Sequence, residues 1–196
     1  MFQNEISKEE VENLDLVQFE GPIAVVDTMD DFHREIGQIE RCPLLGFDTE
    51  TKPSFKKGKV NPTSLIQLAT QERAWIIRVT RIGYPERLLR LLSSENIIKV
   101  GAGLNDDLRR LRSDFHFEPA GFLDLQQYVE AFRIEEKGLK KMSAIVLGKR
   151  ISKSQQVSNW DADPLTEAQL IYAATDAWIC LEIYRTLRNS IRDYHG

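Results

Sequence analysis

Hydrophobic and polar residues recur with two different periods along this chain, and these periods predict its strands and helices. Short apolar runs predict strands at 23–26, 44–50, 64–69, 74–79, 97–100 and 122–125. Apolar residues spaced by three or four predict helices over 28–40, 85–92, 104–113, 138–147 and 166–188. Residues 70–73 have the character of a hairpin connection, so the strands from 44 to 79 are expected to form a three-stranded meander.

The predicted strand 44–50 ends in two acids that share one face. Side chains alternate across a strand, so Leu45, Phe47 and Thr49 lie opposite Leu44, Gly46, Asp48 and Glu50. The Cα atoms of Asp48 and Glu50 are expected roughly 6–7 Å apart, which lets their oxygens converge on one cation. A strand that simply ends in solvated acids has the same pattern, and the pair taken alone favours that explanation.

A third acid, Asp107, interrupts the apolar face of the predicted helix 104–113. It lies at the spacing of Leu104, Leu108 and Leu111, whereas Asp106 points about 100° away toward solvent. Burying an unpaired carboxylate is costly, so Asp107 is a candidate functional residue. A favourable interaction with the helix dipole is the alternative, and it explains an exposed acid better than one facing the core.

A fourth acid, Asp176, is the one charged residue between Leu170 and Leu181 in the last predicted helix. Tyr172 precedes it by four residues, so the two side chains lie on one helix face. A hydrogen bond in the core and a catalytic pair explain this arrangement equally well, and both interpretations stay open.

Together the four acids predict a metal site. Clustered carboxylates repel one another unless cations bind between them, and no His or Cys lies at ligand spacing near them. Oxygen donors favour Mg²⁺ or Mn²⁺ over zinc, and two such ions about 3.5–4 Å apart are a common arrangement for phosphodiester hydrolysis. Tyr172 is then predicted to hold the attacking water.

Length and composition restrict the classes of protein further. The chain has 196 residues, which suits one domain, and 42% of them are hydrophobic. Its net charge of −4 argues against a strong non-specific DNA binder, although bound cations offset acids in a nucleic-acid site. No apolar run approaches the ~20 residues of a membrane span. Cys42 and Cys180 form no CxxC pair, so reduced thiols and a cytoplasmic location are expected.

The N-terminal segment is expected to be a loosely attached arm over residues 1–21, ahead of a domain over 22–196. Ser7 and Glu10 have the spacing of a capping box and predict a short helix within this arm. The acidic, polar character of the segment argues against a signal peptide.

Basic residues occur in two places where a phosphate could bind. The loop 51–63 contains four lysines, and Phe55 within it could stack on a base; a solvated loop is an equal alternative. A second cluster comprises Lys149, Arg150 and Lys153, for which plain surface charge is the alternative.

Three ordered motifs resemble those of the DEDDy 3′–5′ exonucleases, a family that includes RNase D and the exonuclease domain of the Werner syndrome helicase. They are FDTE at 47–50, VGAGLNDDL at 100–108 and YAATD at 172–176, and the stretch 158–177 is also similar. The resemblance implies an α/β, RNase H-like fold, a mixed sheet with helices on both faces. It also implies that Asp48, Glu50 and Asp176 bind one metal, Asp48 and Asp107 the second, and that Tyr172 aligns the water.

The function implied by this resemblance is two-metal hydrolysis of DNA or RNA from a free 3′ end, releasing nucleoside 5′-monophosphates. A catalytically silent nucleic-acid-binding module and a protein-interaction domain are the alternatives, but a binder gains nothing from four clustered acids. Gln155, Gln156 and Val157 stand where related proteins often have a basic residue. Substrate contacts are predicted at Thr49, Phe55, Lys57, Lys153 and Trp160.

Overall fold

A mixed β-sheet forms the centre of the computed structural model, which describes residues 2–54 and 61–192. Within these residues, six strands pair in the order β1-β4-β3-β2-β5-β6. They are β1 (Ile23–Val26), β2 (Leu44–Thr51), β3 (Thr63–Ala69), β4 (Ala74–Ile77), β5 (Ile98–Gly101) and β6 (Phe122–Asp124). Strands β2, β3 and β4 are antiparallel neighbours, and the remaining pairs are parallel. The predicted meander is therefore confirmed.

Helices cover both faces of this sheet, as the predicted fold class requires. One face carries α2 (Met29–Ile39), α3 (Val79–Ile82), α4 (Glu86–Leu92) and α5 (Leu104–Asp114). The other carries α1 (Lys8–Glu12), α6 (Leu125–Tyr128), α7 (Leu139–Leu147) and α8 (Glu167–Arg192), with a 3-10 turn over Val129–Phe132. None of the helices among the described residues has the length and apolar character needed to cross a membrane.

Helix boundaries follow the capping residues found in the sequence. The Thr28 hydroxyl accepts the Asp31 N–H at the start of α2. At the start of α8, Thr166 and Gln169 form the reciprocal bonds of a capping box. The predicted strand 74–79 ends early, at Ile77, and Val79 begins α3 instead. Val79 is buried in α3, and a buried strand would suit an apolar residue equally well, so its character did not distinguish the two conformations.

Gly46 permits the close contact that brings α8 onto β2. A Cβ atom at this position would lie 1.9 Å from the carbonyl oxygen of Ala177, which no side chain tolerates. Asp176 directly precedes Ala177 in α8, while Asp48 lies two residues beyond Gly46 on the same face of β2. The missing side chain at Gly46 therefore places an acid of the helix beside an acid of the strand.

The N-terminal arm is packed into the fold, and the expectation of loose attachment is wrong. Its predicted capping box is present, but Ile6, Val11 and Phe19 are buried in the apolar clusters beneath α7 and α8. The N–H of Phe19 donates to the hydroxyl of Thr175 in α8 at 3.0 Å. Burial of these apolar side chains outweighs the polar composition of the segment. The domain boundary after residue 21 stays a prediction.

Candidate active site

Three carboxylates from two elements meet at the end of β2. Asp48 and Glu50 come from the strand and Asp176 from α8, and one oxygen of each lies within 4.8 Å of the others. Asp176 is buried, with 7% of its surface exposed, whereas Asp48 and Glu50 are only partly covered. The group is thus enclosed on the helix side and reachable from solvent on the strand side.

Burial raises the pKa of all three groups, and repulsion from neighbouring acids adds to the rise at Asp48 and Glu50. Burial, reinforced by the charges of Asp176 and Asp107, raises the pKa of Glu50 to about 9. Burial followed by the charges of its three acidic neighbours raises the pKa of Asp48 well above its usual range. The pKa of Asp176 rises to about 7, because burial outweighs the hydrogen bond from Tyr172 and the charge of Lys153. Three acids whose pKa values are raised in this way are suited to bind a cation.

Tyr172 stands beside the group on α8, one helical turn before Asp176. Its hydroxyl interacts with the Asp176 carboxylate, and burial, followed by the charges of Asp176 and Glu50, raises the pKa of Tyr172 far above its usual value. The hydroxyl therefore stays neutral at any physiological pH. Tyr172 thus interacts with Asp176, as a pair in the core would, and also lies beside the three acids, as a catalytic pair would. The two interpretations are compatible with each other.

Asp107 lies at the edge of this group and outside the set of three. Its carboxylate accepts a hydrogen bond from the Thr49 hydroxyl, which comes from the opposite face of β2. Burial raises the pKa of Asp107, and Thr49 and Arg110 oppose that rise. Its charge still contributes to the raised pKa values of Asp48 and Glu50, so it is close to both. The structure therefore brings three of the four acids together and leaves the fourth bonded to a threonine.

The register of α5 agrees with the sequence prediction. Leu104 and Leu111 are buried, and Asp107 is partly covered on the same side. Asp106 is exposed and forms an ion pair with Arg109 at 2.7 Å. Adjacent aspartates thus have different surroundings, as the helical geometry predicts.

Asp124 fixes the start of α5 as well as the start of α6. It caps α6 by accepting the N–H of Gln126. The same carboxylate accepts the N–H groups of Gly103 and Leu104, each at 2.9 Å. Gly103 has a positive φ of 77°, which a residue with a side chain rarely adopts. This turn sets the position of Asp107 in α5.

The predicted substrate contacts have mixed outcomes. Phe55 and Lys57 lie outside the described residues. Thr49 donates its hydroxyl to Asp107, and Lys153 is exposed with its charge near Asp176. The prediction for Trp160 does not fit its position, because the side chain is fully buried. Its ring packs against that of Tyr172, with 5.9 Å between the ring centroids, so it supports that ring.

Two residues of the second basic cluster, Lys149 and Arg150, contact the N-terminal arm. Lys149 forms an ion pair with Asp15 at 2.8 Å, and the Arg150 guanidinium donates to the carbonyl of Leu14. Three residues of the arm, Leu16, Val17 and Gln18, line a cavity of about 220 Å³ together with Tyr172 and Asp176. No motif marks these arm residues, because only the folded chain places them at the site.

Comparison with known proteins agrees with this geometry. Residues 23–192 match the profile of a family described as 3′–5′ exonuclease. The bifunctional 3′–5′ exonuclease/ATP-dependent helicase WRN of Mus musculus is 35% identical over 152 residues, covering 74% of this chain and 11% of that protein. The chain spans between 11% and 27% of the length of the first curated relatives it matches.

Solved structures show the same architecture. The EXO domain of Aedes aegypti Nibbler has a TM-score of 0.78 and 29% identity, covering 88% of this chain and 89% of that one. Escherichia coli RNase D, described as an exoribonuclease involved in structured RNA processing, has a TM-score of 0.74 and 26% identity, covering 86% of this chain and 45% of that one. The RNase H-like fold predicted from the motifs is therefore confirmed. Because residues 23–192, most of the chain, match the family profile, the chain belongs to the 3′–5′ exonuclease family.

Proposed function

We propose that this protein is an active, metal-dependent 3′–5′ exonuclease, which removes nucleotides from a free 3′ end of DNA or RNA as nucleoside 5′-monophosphates. The observation that carries the proposal is the group of three carboxylates within 4.8 Å, on a chain of the 3′–5′ exonuclease family. Such a group costs electrostatic free energy unless a cation binds, so it is poorly explained as a purely structural feature.

The donor set fits two Mg²⁺ or Mn²⁺ ions. Every candidate donor is a carboxylate oxygen, the type that hard cations prefer. Asp48, Glu50 and Asp176 would hold one ion, and Asp48 with Asp107 would hold the second. When bound, such ions lower the pKa of water and stabilise negative charge on the leaving oxygen.

The chain's own groups position the reactants. Because its pKa is raised, the Tyr172 hydroxyl remains protonated and can orient the attacking water without removing its proton. The hydrogen bond with Asp176 holds that hydroxyl in place. Thr49 fixes the orientation of the Asp107 carboxylate on the other side of the site. The exposed Lys153 offers a positive charge to a substrate phosphate close to the acids.

The deciding experiment follows the shortening of single-stranded oligonucleotides labelled at the 5′ end, with DNA and RNA in parallel. A ladder that shortens from the 3′ end is expected with Mg²⁺ or Mn²⁺ and none with EDTA. A 3′-terminal phosphate should slow the reaction, because it adds negative charge where the terminal hydroxyl must lie. Efficient cleavage of a circular single strand, or recovery with zinc alone, would contradict the proposal. The cytoplasmic location expected from the cysteines stays a prediction.

A further inference from the structure

A second cleft lies beside the active site, between the arm and helix α7. Its volume is about 350 Å³, and Lys8, Lys140, Lys141 and Lys153 line it together with Val11, Glu12 and Gly138. Two of these lysines form ion pairs with glutamates, so the other two leave the cleft with an excess of positive charge on a chain whose net charge is −4. A concentration of positive charge against the overall balance of the chain points to an anionic ligand.

Two of the four lysines have partners that fix the cleft, and two do not. Lys140 pairs with Glu12 at 2.5 Å and thereby ties α7 to the arm. Lys141 pairs with Glu136 at 2.5 Å. Lys8 and Lys153 are exposed and form no ion pair with any residue that the structure describes. Their ammonium groups are available to a ligand.

Neighbouring residues of one short segment line both the cleft and the active-site cavity. Lys153 lines the cleft, while its neighbours Ser152 and Ser154 line the cavity that contains Tyr172 and Asp176. The charge of Lys153 lies near enough to affect Asp176. The arm follows the same course, with its helix α1 at the lysine cleft and residues 16–18 at the active-site cavity.

We propose that this cleft binds the phosphodiester backbone of the substrate strand, on the 5′ side of the nucleotide being removed. The inference rests on the proposed function, and it assigns to the arm a direct role in substrate binding. A strand whose 3′ end lies at the acids would pass Ser152–Ser154 and reach Lys8 and Lys153. Lysines in a groove that follows the backbone are the usual electrostatic element of single-strand binding.

Charge reversal at Lys8 tests the proposal with little effect on the fold. Lys8 is exposed at the first position of α1, where an acid suits the helix dipole. Arg41→Glu is the matched control, because Arg41 is exposed near the opposite end of β2 and its substitution changes the net charge equally. Lys8→Arg keeps the charge and should bind as the wild type does. Equal melting temperatures check that all variants fold.

Binding is measured by fluorescence anisotropy with labelled DNA and RNA oligonucleotides of about 15 nucleotides, in EDTA and at several salt concentrations. Lys8→Glu is expected to raise Kd roughly three- to tenfold and to reduce the slope of log K against log salt by about 0.7. Arg41→Glu should leave both quantities near wild type. Equal binding by the two charge-reversal variants, or no measurable binding by the wild type, would overturn the proposal.

Rates of hydrolysis distinguish a failure of this proposal from a failure of the proposed function. With Mn²⁺, Lys8→Glu should cleave a dinucleotide at the wild-type rate and the longer strand more slowly at low substrate concentration. A wild-type protein that binds the long strand through Lys8 but cleaves neither substrate refutes the activity alone. A variant that cleaves both substrates at wild-type rates refutes the cleft alone.

Discussion

Two buried acids of nearly equal exposure, Glu35 and Asp176, have opposite surroundings. Glu35 is 6% exposed, and its carboxylate accepts hydrogen bonds from Arg73 at 2.9 Å and from the Trp75 indole N–H at 3.0 Å. Asp176 is 7% exposed and meets two other carboxylates, and the described groups that favour its charged form are the hydroxyl of Tyr172 and the charge of Lys153. Burial alone therefore does not distinguish a structural acid from a functional one. The charge of the groups that surround the acid distinguishes the two.

The largest effect on the rate of hydrolysis is expected from a substitution of Asp176. Asp176→Asn should lower the rate of hydrolysis on the order of 10³-fold or more, because it removes a charged metal ligand. Its metal-free form should melt no lower than the wild type, since a repelled charge is lost.

Glu35→Ala is the counterpart. It should cost about 2 kcal/mol of stability by leaving Arg73 and the Trp75 N–H unpaired, with an unchanged rate per folded molecule. Oligonucleotide assays and denaturant melts check both, and exchanged outcomes would contradict the distinction.

A second comparison uses the adjacent aspartates of α5. Asp107→Asn should reduce hydrolysis by about 10²–10³-fold with the fold intact, because the acid faces the site and the bonded Thr49. Asp106→Asn should stay near the wild-type rate, since Asp106 only forms an exposed pair with Arg109. Steady-state rates of the two purified variants decide the matter. If the two results are reversed, the second metal ligand must be reassigned to Asp106.

Tyr172→Phe is expected to have a smaller effect. The ring keeps its packing on Trp160, so the variant should fold normally. Only the water-orienting hydroxyl is lost, which should slow hydrolysis on the order of 10²-fold. Single-turnover rates with Mn²⁺ measure the loss. An unchanged rate would mean that Tyr172, like Trp160, has a packing role only.

The smallest effect is a pH dependence of stability in the metal-free protein. The pKa of Glu50 is about 9 and that of Asp176 about 7 in the folded state, both above their ordinary values. The folded state therefore holds more protons than the unfolded state over this range, and stability falls as pH rises from about 5 to about 9. Melting curves in EDTA should show this fall, and Glu50→Gln should reduce it. Saturating Mn²⁺ should raise the melting temperature most at the higher pH. A wild-type curve that does not differ from that of Glu50→Gln would contradict the interpretation.

Local sequence patterns were sufficient for most of the elements and for the choice among neighbouring acids. Helical spacing separated Asp107 from Asp106, and strand alternation placed Asp48 and Glu50 on one face. Local sequence reasoning did not establish the burial of Trp160, because an aromatic residue suits an exposed surface and a core equally well. It also failed for the arm, because an average over a polar segment conceals the few apolar residues that anchor it.

The sequence by itself determined the strands, the helix caps, the faces of the four acids and the family to which the three motifs belong. These properties depend on residues a few positions apart, whose geometry a regular backbone fixes. Only the tertiary structure decided that Asp176 reaches Asp48 across Gly46, that Asp107 is bonded to Thr49, and that the arm borders the site. Each of these depends on packing between segments far apart in the chain, and no local period encodes which distant surfaces will meet.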